Sequence, residues 1–166
     1  RTQVDVWAEL TGRVPARTLG PAAKLGSYLE IGLLHYAADQ LGTTLTPDAM
    51  REHPNGWMIA NADALALDAA PPLVVEAKSS GVLSGRAAEG WGEPGSAEVP
   101  SYVLVQTHHQ LAVRDTQEDL PRFEGVIVSA ILGGRGLALY RVPRSDELVE
   151  AITEAEARFW HDYVLP

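Results

Sequence analysis

The stretch Leu73-Val74-Val75-Glu76-Ala77-Lys78 decides how the chain is read. Three apolar residues predict a short buried strand, and because successive strand side chains alternate faces, Glu76 and Lys78 stand on the same one. A carboxylate and an ammonium inside an apolar strand carry a desolvation cost, which is offset only if the two groups pair or if chemistry uses them. The chain holds two lysines, Lys24 and Lys78, so Lys78 is not a stray from a lysine-rich surface.

Working backwards, Asp63 lies in a second strand-like run, Trp57 to Leu67, and the intervening Asp68-Ala69-Ala70-Pro71-Pro72 reads as a turn. A hairpin folded near Ala70 sets Asp63 opposite Ala77 and beside Glu76, so that Asp63, Glu76 and Lys78 converge. Adjacent carboxylates repel unless a cation lies between them, and a hard divalent ion is the economical answer. Mg²⁺ takes one or two carboxylates together with waters and substrate phosphates, and Mn²⁺ is a substitute for it. Asp, then Glu-x-Lys on the next strand, therefore suggests metal-dependent phosphodiester cleavage. The same three residues are also compatible with a strand-end salt bridge and an aspartate in a turn; the spacing alone leaves both open.

Two helices bear on the choice. From Leu25 to Leu41 the apolar positions Leu33, Leu34, Ala37 and Leu41 recur with helical spacing from Glu30, which heads the stripe as a carboxylate on the core-facing side or as a first-turn glutamate favoured by the helix dipole. From Ser101 to Val113, after Pro100, Tyr102, Gln106 and Gln110 fall at i, i+4 and i+8. That row suits either contact with a water or phosphate near the metal or a solvated helix face.

Read in order, Leu25-Gly26-x-x-Leu29-Glu30, Asn61-Ala62-Asp63, Val75-Glu76-Ala77-Lys78 and Tyr102-x-x-x-Gln106-x-x-His109-Gln110-Leu111-Ala112 are followed by a Gly-rich hairpin and a Phe159-Trp160 helix. This succession resembles the YqaJ-type viral recombinase family, relatives of phage lambda exonuclease in the PD-(D/E)xK nuclease superfamily. The likeness runs from about Trp7 to the C-terminus. It implies a restriction-endonuclease-like core and a Mg²⁺-dependent exonuclease that digests double-stranded DNA ends 5′-to-3′. It also implies a homo-trimeric ring and a single-strand annealing protein as recombination partner. By resemblance, Asp63 and Glu76 are metal ligands, the Ala77 carbonyl completes the shell, and Lys78 acts on the water or the transition state. Glu30 touches a second metal or its waters, and Gln106 orients the site. Tyr102, Gln110, Trp91 and Arg86 are candidate DNA contacts. Two departures stand out: Ala62 replaces the family's usual proline, and the chain starts at Arg1, past the family's end-binding N-terminal segment, which leaves open whether the sequence is shortened there or the end-binding pocket differs.

Composition sets the outer bounds. A length of 166 residues suits one nuclease domain spanning 1–166. The expected order is a helix over 26–41, three strands between about 57 and 78, a helix from about 101, and strands over 125–132 and 137–142 joined by a glycine turn. This is an α/β arrangement, α-β-β-β-α-β, around a mixed sheet. In the last helix Leu148, Ile152, Ala155, Phe159 and Tyr163 form a stripe expected to pack on the core. The glycine-rich stretch from Ser79 to Pro100 would drape over a substrate strand, with Trp91 stacking on a base, or form a surface loop whose tryptophan packs on its own domain.

With no cysteine, disulfides, zinc thiolates and iron–sulfur clusters are excluded. Neither a signal peptide nor a membrane span is recognisable, which makes the cytoplasm of a bacterial or phage-infected cell the expected location, with no membrane partner. A net charge of −9 is unfavourable for binding phosphates. The expected resolution is a channel lined by Arg86, Arg114, Arg135 and Arg141, with Glu147, Glu150, Glu154 and Glu156 facing outward. Adjacent His108 and His109 diverge around their helix and make no chelating pair. A restriction-like endonuclease on the same site, and a catalytically silent DNA-binding or scaffold module, are the alternative functions.

Overall fold

The computed structural model describes residues 2–15, 18, 20–82 and 89–165. Helix α1 (Gln3–Leu10) begins with a capping box in which Thr2 and Asp5 satisfy each other's backbone N–H groups. Helix α2 (Pro21–Leu41) has Pro21 in its first turn, where the missing N–H costs nothing, and ends at Gly42, whose φ of 62° is the left-handed conformation that closes many helices. Four short strands follow: β1 (Thr46–Pro47), β2 (Arg51–Glu52), β3 (Ile59–Ala60) and β4 (Ala64–Ala66). Then come β5 (Leu73–Ser80), α3 (Ser101–Arg114), β6 (Gly125–Leu132), β7 (Gly136–Pro143) and α4 (Asp146–Phe159), which runs on into a π-helical turn over Trp160–Val164.

The main sheet has the order β1-β4-β5-β6-β7; β5 and β6 are parallel and the other neighbours antiparallel. This is the mixed sheet expected of the sequence. Its two faces are sorted by the strand alternation. On one side Val75, Leu73, Ala64, Ala66 and Ile127 bury Ala37 of α2, with Leu34 and Leu41 packed against them. On the other, Val74, Leu65, Val126, Val128 and Tyr140 pack with Val103 and Leu111 of α3. A polar tie joins the first face: Ser129 donates its hydroxyl to the Leu33 carbonyl at 2.7 Å.

The run from Trp57 to Leu67 is not one strand. Ile59-Ala60 pairs with Arg51-Glu52 in a separate two-stranded sheet, while Ala64–Ala66 pairs with β5. The register Ala64↔Val75, Leu65↔Val74, Ala66↔Leu73, carried one step further, sets Asp63 opposite Glu76. The expected partner was Ala77; the hairpin folds between Ala69 and Ala70 rather than on Ala70, which shifts the pairing by one.

Two expectations about packing are corrected. In α4 the core-facing residue of the proposed stripe is Ile152, at 7% exposure, whereas Tyr163 is 62% exposed. The helix lies against α3 rather than the sheet, and a Leu165 N–H bond to the Trp160 carbonyl at 3.0 Å marks the widened π turn that carries Tyr163 off the stripe. Glu156 likewise faces His109 instead of solvent, with Oε1 2.9 Å from Nδ1.

The described part of the irregular segment after β5 packs on the domain instead of draping over a substrate strand. Over its described part, Gly95 donates its N–H to the Leu139 carbonyl at 2.7 Å and Arg141 donates to the Ser96 carbonyl at 3.0 Å, so the segment lies along the outer side of β7. Trp91 is 6% exposed and packs on Tyr140 with ring centroids 4.9 Å apart. Buried in this way it has no face for a DNA base, and the own-domain alternative describes it. Arg135 fixes the same segment by donating to the Trp91 and Gly92 carbonyls at 2.9 and 2.6 Å.

Candidate active site

One cleft gathers Glu30 from α2, Asp63 from the link before β4, and Glu76, Ala77 and Lys78 from β5, with Gly26, Ser27 and Ser79 at its mouth. Each arrives for a local reason. Glu30 sits one turn before Leu33 and Leu34, so the packing of α2 on the sheet carries its carboxylate inward. Glu76 and Lys78 share a strand face, and Lys78 Nζ contacts Glu76 Oε1. Asp63 Oδ2 accepts the Ala77 N–H at 2.7 Å, which pins its side chain to β5.

Glu76 is 4% exposed, and such burial requires donors. Helix α3 supplies them. Gln106 Nε2 donates to Oε1 and Gln110 Nε2 to Oε2, each at 2.7 Å. Gln110 also donates to the Asn61 carbonyl at 3.0 Å, so one amide holds both Glu76 and the segment that carries Asp63. The helical row thus divides: Gln106 and Gln110 turn into the site, while Tyr102, in the first turn, is 60% exposed. Gln110, with 1% exposure, touches protein on every polar contact described, which makes it a positioning residue rather than a DNA contact.

The carboxylates strain one another. Burial, then the charge of Glu76, then that of Glu30, push the Asp63 carboxyl up to about 6, against the opposing Ala77 N–H and Lys78. Among the described residues no three His, Cys, Asp or Glu side chains form a ready-made metal cluster. The donor set nevertheless fits a hard divalent cation, since Mg²⁺ needs only one or two carboxylates and fills its remaining positions with water and carbonyl or phosphate oxygens. Asp63, Glu76 and the Ala77 carbonyl are the groups that would hold it.

No sequence pattern marks Asp48 or the burial of Arg114. Arg114 pairs with Asp48, their side chains 0% and 1% exposed, and donates to the Gln110 carbonyl at 2.9 Å. Asp48 Oδ2 accepts the Ala62 N–H at 3.1 Å, next to Asp63. Lying 66 positions apart, the two residues offer no local spacing to read. Arg114 is therefore not part of a DNA channel, and Arg135 is engaged with the loop; Arg141 is exposed, and Arg86 lies outside the described residues. His108 and His109 are structural. His108 Nε2 accepts the Ser145 N–H at 3.2 Å, and His109 reaches the Ile59 carbonyl at 3.0 Å besides Glu156. Burial lowers the affinity of His109 for its proton, but the hydrogen bonds to Glu156 and Ile59 and the Glu156 charge outweigh it and raise the imidazole above its ordinary range.

Comparison with known proteins converges on this architecture. The fold is similar to that of the alkaline exonuclease LHK-Exo from Laribacter hongkongensis, with a TM-score of 0.69 and 19% identity over 97% of this chain and 77% of that one. It is also similar to the protein SSO0001, with a TM-score of 0.56 and 18% identity over 89% and 63%. The protein YqaJ of Bacillus subtilis (strain 168), itself uncharacterized, is 26% identical over 99% of the chain, which spans about half of that relative (49%). Residues 1–117, the part that carries Glu30, Asp63, Glu76, Lys78 and Gln106, match the YqaJ-like viral recombinase domain, and the chain belongs to that family.

Proposed function

We propose that the chain is a divalent-metal-dependent nuclease that hydrolyses phosphodiester bonds at double-stranded DNA ends. The observation that carries this reading is the convergence of Asp63, Glu76, Lys78 and Glu30, from separate elements, in one cleft. A plain Glu76–Lys78 ion pair needs neither Asp63 nor Glu30 beside it, and their mutual repulsion lowers stability unless a cation relieves it.

Bound Mg²⁺ would supply positive charge at the phosphate and lower the pKa of a water beside it. Asp63 and Glu76 offer oxygen ligands. Gln106 and Gln110 fix the Glu76 carboxylate in one orientation, so little reorganisation is needed when charge develops. The Lys78 ammonium lies within reach of the same cleft, where it stabilises added negative charge on phosphorus or hands a proton to the leaving oxygen. The Asp48–Arg114 pair and the Asn61 carbonyl bond keep the Asp63 segment in place.

Family membership supports DNA as substrate, and the likeness to an alkaline exonuclease favours ends over internal sites. Digestion from 5′ to 3′, a trimeric ring, an annealing partner and action inside a bacterial or phage-infected cell belong to the same proposal; no described helix is long and apolar enough to cross a membrane. Exposed Tyr102 is the proposed DNA contact on α3. The test is incubation with linear and covalently closed circular duplex with Mg²⁺, Mn²⁺ or EDTA. Metal-dependent loss of the linear form alone is expected; rapid cutting of the circle points to an endonuclease, and no cutting of either with any metal removes the reading.

A further inference from the structure

We propose that a groove beside the carboxylates seats the nucleoside attached to the phosphate under attack, an inference that rests on the nuclease reading. The groove runs between the second half of α2 and the β1 edge and encloses about 570 Å³, lined by Leu34, His35, Ala38, Thr43, Thr44 and Leu45. That size is within the roughly 300–1,000 Å³ of small-molecule sites. It is continuous with the catalytic cleft, because Glu30 and Asp63 line both. A phosphate held at Asp63 and Glu76 has a nucleoside on either side of it. Because Glu30 and Asp63 border both spaces, one of these nucleosides can enter this groove.

Charge selects the occupant. Among the described lining residues there is no lysine or arginine, and two carboxylates close one end. With no lysine or arginine there, a second phosphate finds no fixed cation to pair with, whereas a base and its deoxyribose are neutral and need none. Leu34, Ala38 and Leu45 give apolar surface for the face of a base, as in sites that hold an unstacked nucleotide between apolar side chains. The Thr43 and Thr44 hydroxyls rotate to donate or accept and so tolerate any base edge. The result is a base-dependent but sequence-tolerant seat, which suits an enzyme that removes nucleotides in succession.

The test uses linear duplexes whose terminal nucleotide lacks its base (a tetrahydrofuran residue), on the 5′ strand in one substrate and on the 3′ strand in another. The wild type, Ala38→Phe and the exposed-site variant Thr44→Trp are compared, with folding and the Mn²⁺-induced rise in melting temperature checked for each. The expected result is a loss of about tenfold in kcat/KM when the wild type meets one of the base-less ends, in line with base-stacking contributions. A similar loss is expected for either variant on the normal end, and little further loss when the two changes are combined. Equal cleavage of base-less and normal ends by the wild type, with unaltered kcat/KM in both variants, overturns the groove and leaves the nuclease reading standing. If the wild type cuts no DNA, the nuclease reading fails by itself, and saturation-transfer NMR with deoxythymidine decides the groove: transfer abolished by Ala38→Phe supports it, and absence of transfer overturns it.

Discussion

The Gln110 amide and the Glu76 carboxylate, 34 positions apart, meet at 2.7 Å in the interior, and the same amide nitrogen bridges to Asn61. Glu76 is thus oriented from α3, not from its own strand. Replacing Gln110 by Leu keeps the volume and removes both bonds. Hydrogen bonds to charged groups contribute about 1.5–3 kcal/mol, so kcat should fall roughly ten- to a hundredfold. Single-turnover cleavage under saturating DNA checks this; an unchanged kcat with a raised KM would instead make Gln110 a DNA contact.

Lys78→Ala should lower cleavage by about a hundredfold or more, as for other positioned charges at a reacting centre, while the fold persists because Glu76 keeps both amide donors. Activity assays alongside circular dichroism separate the two effects. Near-normal cleavage in Lys78→Ala would reduce the Glu76–Lys78 pair to a structural ion pair.

Asp63 links metal, pH and stability. In metal-free protein its folded carboxyl titrates at about 6, against 3.8 when unperturbed. Its stabilising contribution is therefore complete below the lower value and is lost as pH rises through the upper one, since the unfolded chain releases the proton first. The side-chain amide introduced by Asp63→Asn does not titrate and still offers an oxygen to the Ala77 N–H. The melting temperature of Asp63→Asn in EDTA should gain on the wild type between about pH 4 and pH 7, the window that brackets the two values; a constant difference across that range contradicts the assignment.

Millimolar Mn²⁺ should reverse that order. Binding to the folded state alone raises wild-type melting by mass action, and the rise should vanish in Asp63→Asn. Differential scanning fluorimetry with and without the ion measures it, and an equal response in both proteins rules Asp63 out as a ligand.

Arg114→Met removes the close guanidinium from buried Asp48 and leaves it the Ala62 N–H and Arg51, whose Nε stands 3.9 Å from Oδ1; breaking a buried pair typically costs about 3–5 kcal/mol. Urea unfolding should report a loss of that order. A change below about 1 kcal/mol, on the order of a surface pair, would mean that the pair is solvated in solution.

The alternation that puts Glu76 and Lys78 on one face, the α2 stripe headed by Glu30 and the i, i+4 spacing of Gln106 and Gln110 are local patterns, and the structure carries all three. What lay beyond local pattern was set by tertiary contact. Strands β1 and β2 are two residues each and have no period to detect. Trp91 sits in a glycine-rich stretch that resembles an open loop, and its burial depends on hydrogen bonds to Leu139 and Arg141 far along the chain. The same holds for Arg114, whose partner precedes it by 66 residues; charge composition alone cannot tell a buried guanidinium from one on a DNA-facing surface.

The segment along β7 has a consequence for assembly. Its bonds to Leu139 and Arg141 occupy backbone groups that a foreign strand would need. At the opposite margin β1 is two residues long and ends in Pro47, which has no N–H to donate. Neither of these two edge strands therefore invites a partner strand. An association that spares these two edge strands would run through side chains, so point substitutions on helix and loop surfaces could abolish it while the backbone pairing of the main sheet survives.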